Sequence, residues 1–108
     1  RMSGIKDWDE YNAAARDRGR ELNGLHPELV KGFGALSRGA ATTRHLDAKT
    51  RELIALAVAI TTRCDGCIDA HVRKAKHAGA SKEEMAEALG VAIALNAGAA
   101  FTYALHVL

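Results

Sequence analysis

Apolar residues recur along the first part of the chain at intervals of three and four, the spacing of one face of an α-helix. One such stretch covers 6–23 and ends before Gly24, and a second begins near Pro27 and ends before Gly39. Proline at a helix start and glycine after a helix end are common boundary residues. The pattern therefore predicts two amphipathic helices in this part of the chain.

A third helix is predicted from Asp47, which can cap its first turn, to about Thr62. Apolar residues fill nearly its whole circumference: Leu53, Ile54, Ala55, Leu56, Ala57, Val58, Ala59 and Ile60. A helix that is apolar all round is normally buried. We therefore expect this helix to lie at the centre of the protein.

A short polar break at 61–63 precedes a fourth helix, from about Cys64 to Ala78, which Gly79 ends. We expect the third and fourth helices to form an antiparallel hairpin that turns at Thr62 and is buried at the centre of the fold.

The rest of the chain continues the helical pattern. Ser81 and Glu84 have the spacing of a capping box, which predicts the start of a fifth helix. Asn96 and Gly98 are expected to interrupt it, and a last helical piece reaches the C-terminus. With no alternating strand pattern, the prediction is a single all-α domain over residues 1–108 with about six helices.

The composition affects how this domain is stabilised. Apolar residues make up 48% of the chain, aromatic residues only 5%, and alanine occurs 22 times. Small side chains let helices approach closely but leave a thin core in each subunit. We therefore expect part of the apolar surface to be buried in a homo-oligomer.

Charge and hydropathy exclude other classes. The 15 basic and 13 acidic residues give a net charge of +2, so the surface is mixed and nucleic-acid binding is not expected. The most apolar stretch, 91–108, is broken by Asn96, Gly98, Thr102 and His106, so no membrane span is expected. The polar start of the chain has no signal-peptide pattern, and a cytoplasmic protein is expected.

Cys64, Cys67 and His71 have helical positions i, i+3 and i+7, which lie on one face. Two thiols one turn apart can close a disulfide after a modest adjustment. The unpaired amides of a helix start stabilise a thiolate, and His71 supplies a proton acceptor or donor. A free thiol, with a pKa near about 8.5, is only about 3% ionised at neutral pH, so such stabilisation greatly increases its reactivity.

Glu52 joins this set through the predicted hairpin. It lies ten residues before the turn at Thr62, and His71 lies nine residues after it. At a rise of about 1.5 Å per residue, both side chains are at the same level. Glu52 is therefore expected to hydrogen-bond His71, which gives a relay of carboxylate, imidazole and thiol.

The stretch from Leu46 to about Ala99 resembles the alkyl hydroperoxidase D-like proteins of the carboxymuconolactone decarboxylase family. The family pattern is a Glu, a Cys-x-x-Cys that begins twelve residues later, and a His four residues after the second Cys. Glu52, Cys64, Cys67 and His71 match each position.

The resemblance implies an alkyl hydroperoxidase D-like helical fold, a homo-oligomer, often a trimer or hexamer, and reduction of hydroperoxides without a cofactor or metal. Cys67 would be the peroxidatic thiol and Cys64 the resolving one, with a dithiol or thiol–disulfide protein as reductant. Cys64, expected to be the more exposed, is the easier sulfur for that reductant to attack. The chain departs from the hydroperoxidase branch at Gly66, where that branch has a second His, so a simpler route of proton delivery is expected.

Three alternatives accompany this hypothesis. Cys64, Cys67 and His71, with Glu52 or His45, are possible zinc ligands, although structural zinc usually takes two separated ligand pairs. A non-enzymatic, redox-sensing helical oligomer is the second alternative. The third is a decarboxylase-like enzyme that acts on a small lactone and does not need its cysteines.

Overall fold

The computed structural model describes residues 4–108, so the first three residues of the polar chain start lie outside the described part. Five α-helices follow one another: α1 Trp8–Leu25, α2 Pro27–Ala41, α3 Ala48–Thr62, α4 Asp65–His77 and α5 Lys82–Ala104, with a 3₁₀ turn at Leu105–Val107. No strand occurs in the described part. The predicted all-α class, with about six helical pieces, is confirmed.

These helices belong to two compact units, which meet in sequence between His45 and Leu46. The first unit contains α1 and α2, and the second contains α3, α4 and α5. The expectation of a single domain stays a prediction.

The first unit is a pair of helices with no buried residue in either. The Asp7 carboxylate caps α1 by accepting a hydrogen bond from the Glu10 backbone N–H at 3.1 Å, and Pro27 is the first residue of α2. Three apolar side chains spaced along one stripe of α2 are more than half exposed: Leu29, Phe33 and Leu36.

The core of the second unit forms where its three helices meet. Leu56 of α3, Ala75 of α4 and Met85 of α5 are buried together, with Leu53 and Val72 packed against them. Helix α3 contacts both other helices, so its predicted central place in this unit is correct.

The prediction that α3 is buried on all sides is wrong for the chain by itself. Ile54 and Val58 are 49% and 55% exposed. The physical reason is that, within the second unit, α4 and α5 pack against α3 from two sides and leave Ile54 and Val58 uncovered.

A single residue in the left-handed conformation ends α3. Arg63 has φ 54°, and the Cys64 backbone N–H donates to the Ala59 carbonyl at 3.0 Å, which closes the helix end. The predicted polar break is therefore shorter than expected, because Thr61 and Thr62 still belong to α3. Cys64 then caps α4 rather than forming its first turn.

The predicted helix end at Gly79 and helix start at Ser81 are both confirmed. Gly79, at φ 90°, follows the end of α4, where glycine adopts this conformation without steric cost. Ser81 and Glu84 form the predicted capping box, with reciprocal hydrogen bonds of 3.0 and 2.9 Å. Glu84 also accepts a hydrogen bond from Lys49 Nζ at 2.8 Å, which ties the start of α5 to the start of α3.

The predicted interruption of α5 at Asn96 and Gly98 is wrong, because α5 continues to Ala104. The Asn96 amide donates to the Ala92 carbonyl one turn back, at 2.7 Å, and to Thr61 Oγ1 of α3 at 3.0 Å. Its amide is thus hydrogen-bonded to α5 itself and to α3 while α5 continues. An interior glycine costs a helix only about 1 kcal/mol, which packing readily offsets.

The second half of α5 is apolar and exposed. Leu95, Phe101 and Tyr103 are 68%, 72% and 75% exposed. The segment Lys82–Val107 has a mean hydropathy of 1.6 in its most apolar window and is long enough to cross a membrane, judged by length and composition alone. This surface is uncovered in the chain by itself.

Candidate active site

The two cysteines lie at the corner between α3 and α4 and are joined in a disulfide, with their Cα atoms 5.2 Å apart. Cys64 is the N-cap of α4, and its sulfur accepts a hydrogen bond from the Cys67 backbone N–H at 3.3 Å. One N-terminal amide of α4 thus donates to this sulfur, a contact that favours a thiolate at a helix start.

The expected order of exposure of the two cysteines is wrong. Cys67 is exposed, whereas Cys64 is only partly exposed. The reason is the cap position of Cys64, which turns its side chain back over the first turn of α4. Cys67 is therefore the sulfur that a molecule from solvent reaches more easily.

Glu52 and His71 form the contact that the hairpin geometry predicts. Glu52 Oε1 and His71 Nδ1 are 2.6 Å apart, a short hydrogen bond between α3 and α4. Glu52 is 4% exposed and His71 is partly exposed, so the pair connects the interior to the surface. His71 lies one helical turn after Cys67 on the same face of α4.

A second side chain, Arg51, also holds the buried carboxylate. Arg51 Nε donates to Glu52 Oε2 at 3.1 Å, so each carboxylate oxygen has a partner. Burial alone raises the pKa of Glu52, but the hydrogen bonds from His71 and Arg51 and their positive charges outweigh burial and hold that pKa below its usual value. Glu52 is therefore ionised at neutral pH.

The ionised carboxylate sets the role of each histidine nitrogen. Since a carboxylate only accepts hydrogen bonds, Nδ1 of His71 carries the proton in this contact. Nε2 is then the nitrogen that exchanges a proton with a neighbouring thiol or a substrate oxygen. Glu52 positions the imidazole and supports its positive charge.

Sequence reasoning missed a second buried carboxylate on α4. Asp69 is 3% exposed and accepts a hydrogen-bonded ion pair from Arg73 Nη2 at 2.8 Å. The acid–base spacing of four residues was visible in the sequence, but it usually marks an exposed helix face. Only the packing of α4 shows that this carboxylate is buried.

The geometry does not favour a metal centre. Among residues 4–108, no group of three or more His, Cys, Asp or Glu side chains is placed to hold a metal ion. The two cysteines bond to each other, and Glu52 bonds to His71 and Arg51.

The chain is similar to known proteins over most of its length. Residues 27–108 match the model of the carboxymuconolactone decarboxylase family. The chain is 53% identical over 102 residues to an uncharacterized protein of Haemophilus influenzae, an alignment that covers 94% of this chain and 90% of that protein. It is 44% identical over 72 residues to uncharacterized protein 4 in the cox locus of Paracoccus denitrificans, covering 67% of this chain and 65% of that protein.

Two crystal structures share the fold. A protein from Methanobacterium thermoautotrophicum superposes with a TM-score of 0.74 at 29% identity, over 81% of this chain and 98% of that chain. An apo carboxymuconolactone decarboxylase family protein from Legionella pneumophila superposes with a TM-score of 0.68 at 35% identity, over 90% of this chain and 89% of that chain.

The buried Glu52 carboxylate leads to a stability prediction with a defined pH dependence. Because its pKa is lowered on folding, its contribution to stability is complete above the ordinary value of 4.5 and is lost as the pH falls through the lower folded-state value. Glu52→Gln is expected to reduce the free energy of unfolding at pH 7 by about 1.5–3 kcal/mol, the range for hydrogen bonds to charged groups.

Urea unfolding of both proteins between pH 7 and pH 3 measures this effect. The difference in free energy of unfolding between wild type and Glu52→Gln should become smaller as the pH falls below 4.5. Glu87→Gln, which changes an exposed carboxylate on α5, is the matched control and should show little change. A gap for Glu52→Gln that stays constant over this pH range would contradict the assignment.

Proposed function

The chain belongs to the carboxymuconolactone decarboxylase family, and within that family we propose that it is a thiol-dependent hydroperoxide reductase of the alkyl hydroperoxidase D-like type. The observation that carries the proposal is the Glu52–His71 hydrogen bond beside a cysteine pair at the start of α4. A buried carboxylate, an oriented imidazole and a thiol one turn away form the arrangement of an activated nucleophile.

In the first step, the Cys67 thiolate attacks the terminal peroxide oxygen of a hydroperoxide, ROOH. The S–O bond forms as the O–O bond breaks, which leaves Cys67 as a sulfenic acid and releases RO⁻. His71 Nε2 supplies the proton that makes this product the alcohol ROH. The exposure of Cys67 and its place one turn before His71 support this role.

In the second step, the Cys64 sulfur attacks the Cys67 sulfenic acid. The S–S bond forms as the S–O bond breaks, and the departing hydroxide leaves as water with the proton of the Cys64 thiol. The product is the disulfide between Cys64 and Cys67 seen in the structure.

A dithiol partner closes the cycle by thiol–disulfide exchange. Its thiolate attacks the exposed Cys67 sulfur and releases Cys64, whose thiolate is stabilised by the Cys67 N–H at the helix start. The second thiol of the partner then resolves the mixed disulfide. In total, ROOH and the dithiol become ROH, water and the partner's disulfide.

A turnover assay with an organic hydroperoxide and a dithiol tests this cycle. Cys67→Ser is expected to abolish turnover, because it removes the attacking sulfur. Cys64→Ser should prevent disulfide formation, and His71→Ala should lower the rate by about 10²-fold or more, the usual effect of losing a general acid–base group.

His45→Ala is the matched control, since His45 precedes α3 and lies outside the pair formed by Glu52 and His71. It should retain the wild-type rate. Unchanged turnover in Cys67→Ser would refute the peroxidase assignment. Reversible disulfide formation without any turnover would favour a redox-sensing protein instead.

A second copy of the chain is proposed to cover the exposed apolar surface of α5, so that the protein works as a homo-oligomer. Val91 and Leu95 are more than half exposed and line a groove of about 370 Å³ between α3 and α5. This groove is almost wholly apolar apart from Thr61 and Asn96. Burying such apolar surface lowers the free energy by about 25 cal/mol per Å², which favours association.

Sedimentation and light scattering measure the assembly directly. We expect the wild type to have a mass that is a multiple of 11.5 kDa, as for a trimer or hexamer, without detergent. Leu95→Asp should shift it toward the monomer, because a charge would be buried in the interface. Lys76→Asp, an exposed change on α4, should leave the assembly intact. A wild-type monomer, or one that needs lipid vesicles to stay dispersed, would contradict the proposal.

A further inference from the structure

A cavity of about 470 Å³ lies between the first turns of α3 and the last turns of α4. We call it the basic cavity, and it is lined by Ala48, Arg51, Glu52, Arg73, Lys74, His77 and Ala78. Glu52 forms part of its wall and also binds His71, so the cavity adjoins the proposed active site. The reaction steps described above make no use of it.

The wall of the basic cavity is positively charged. Arg51, Arg73 and Lys74 contribute three cations, against the lining carboxylate of Glu52, which Arg51 binds at 3.1 Å, so the lining keeps an excess of positive charge. Arg73 also pairs with Asp69, which lies behind the wall. A guanidinium has five N–H donors, so one bond to a protein carboxylate leaves others that can bind a ligand. An anion, and a carboxylate above all, suits this wall.

The basic cavity and the thiol lie along one face of α4. Cys67, His71, Lys74 and Ala78 follow one another at helical spacings of four, three and four. Cys67 and Lys74 are seven residues apart, which is about 10 Å along the helix axis. A single molecule of that length can therefore reach from the attacking sulfur to the cations.

We propose that the basic cavity binds the carboxylate of the substrate, and that the substrate class is an organic hydroperoxide with a carboxylate group about 10 Å from its peroxide. This inference rests on the proposed function. The carboxylate holds the molecule and takes no part in the redox steps. Lys74 and Arg73 act as substrate-binding residues, and the peroxide reacts at Cys67.

A pair of substrates isolates the carboxylate. A long-chain hydroperoxy acid and its methyl ester differ only in the anionic group, so they carry the same peroxide. For the wild type, kcat/KM is expected to be about tenfold higher for the acid, equivalent to one charge-assisted hydrogen bond. The ratio of acid to ester should fall toward one as the salt concentration rises.

Lys74→Gln is the test variant, because Arg73 also holds the buried Asp69 and its loss would disturb folding. The ratio of acid to ester should fall severalfold in Lys74→Gln. Lys76→Gln removes an exposed charge of the same type from the same helix but outside the cavity, and it should keep the wild-type ratio. An equal ratio in all three proteins would overturn the inference and leave the peroxidase proposal standing.

Binding without turnover separates the two proposals. Nuclear magnetic resonance of the disulfide form is recorded during titration with the hydroxy acid product, its methyl ester, and inorganic phosphate. Shifts at Arg73, Lys74 and His77 with the acid alone support a carboxylate site, even if no hydroperoxide is turned over. Equal shifts with phosphate, or none with the acid, would overturn the inference.

Discussion

The hydrogen bond between Glu52 and His71 is the constraint on which the site depends. A carboxylate that is 4% exposed is stable only if its oxygens are bonded, and Glu52 meets this need with His71 on one oxygen and Arg51 on the other. The same bond fixes the register of α3 against α4. The bond therefore holds the His71 imidazole in a defined orientation, one helical turn after Cys67 on α4.

The end of α3 and the start of α4 determine where the two sulfurs lie relative to the Glu52–His71 hydrogen bond. Arg63, in the left-handed conformation, turns the chain from α3 toward α4, and Cys64 caps α4. The cap gives the two sulfurs different surroundings, with Cys64 under the helix amides and Cys67 in the open. A pair of chemically identical residues thus differs in exposure and in hydrogen bonding, which fits the proposed roles of attacking and resolving thiol.

Sequence reasoning reached the features that depend on spacing. The Glu52–His71 contact follows from counting residues on two helices around a turn, and the ends at Gly79 and Ser81 follow from local backbone chemistry. The prediction failed at Asn96, whose side chain can either end a helix or hydrogen-bond within one. Here the Asn96 amide donates to the Ala92 carbonyl, and α5 continues past it. Burial of Asp69 depends on how the helices pack, which periodicity alone does not determine.

In the proposed cycle, Cys67 is the sulfur that attacks a peroxide. The two sulfurs are distinguished by the masses of Cys64→Ser and Cys67→Ser, each of which keeps one thiol, after one equivalent of organic hydroperoxide with a sulfenic-acid reagent to trap the product. A trapped adduct is expected in Cys64→Ser, formed much more slowly when His71 is also replaced by alanine, and little or none in Cys67→Ser. Equal labelling of the two single-cysteine proteins, or equal labelling in the presence and absence of His71, would overturn the assignment of Cys67.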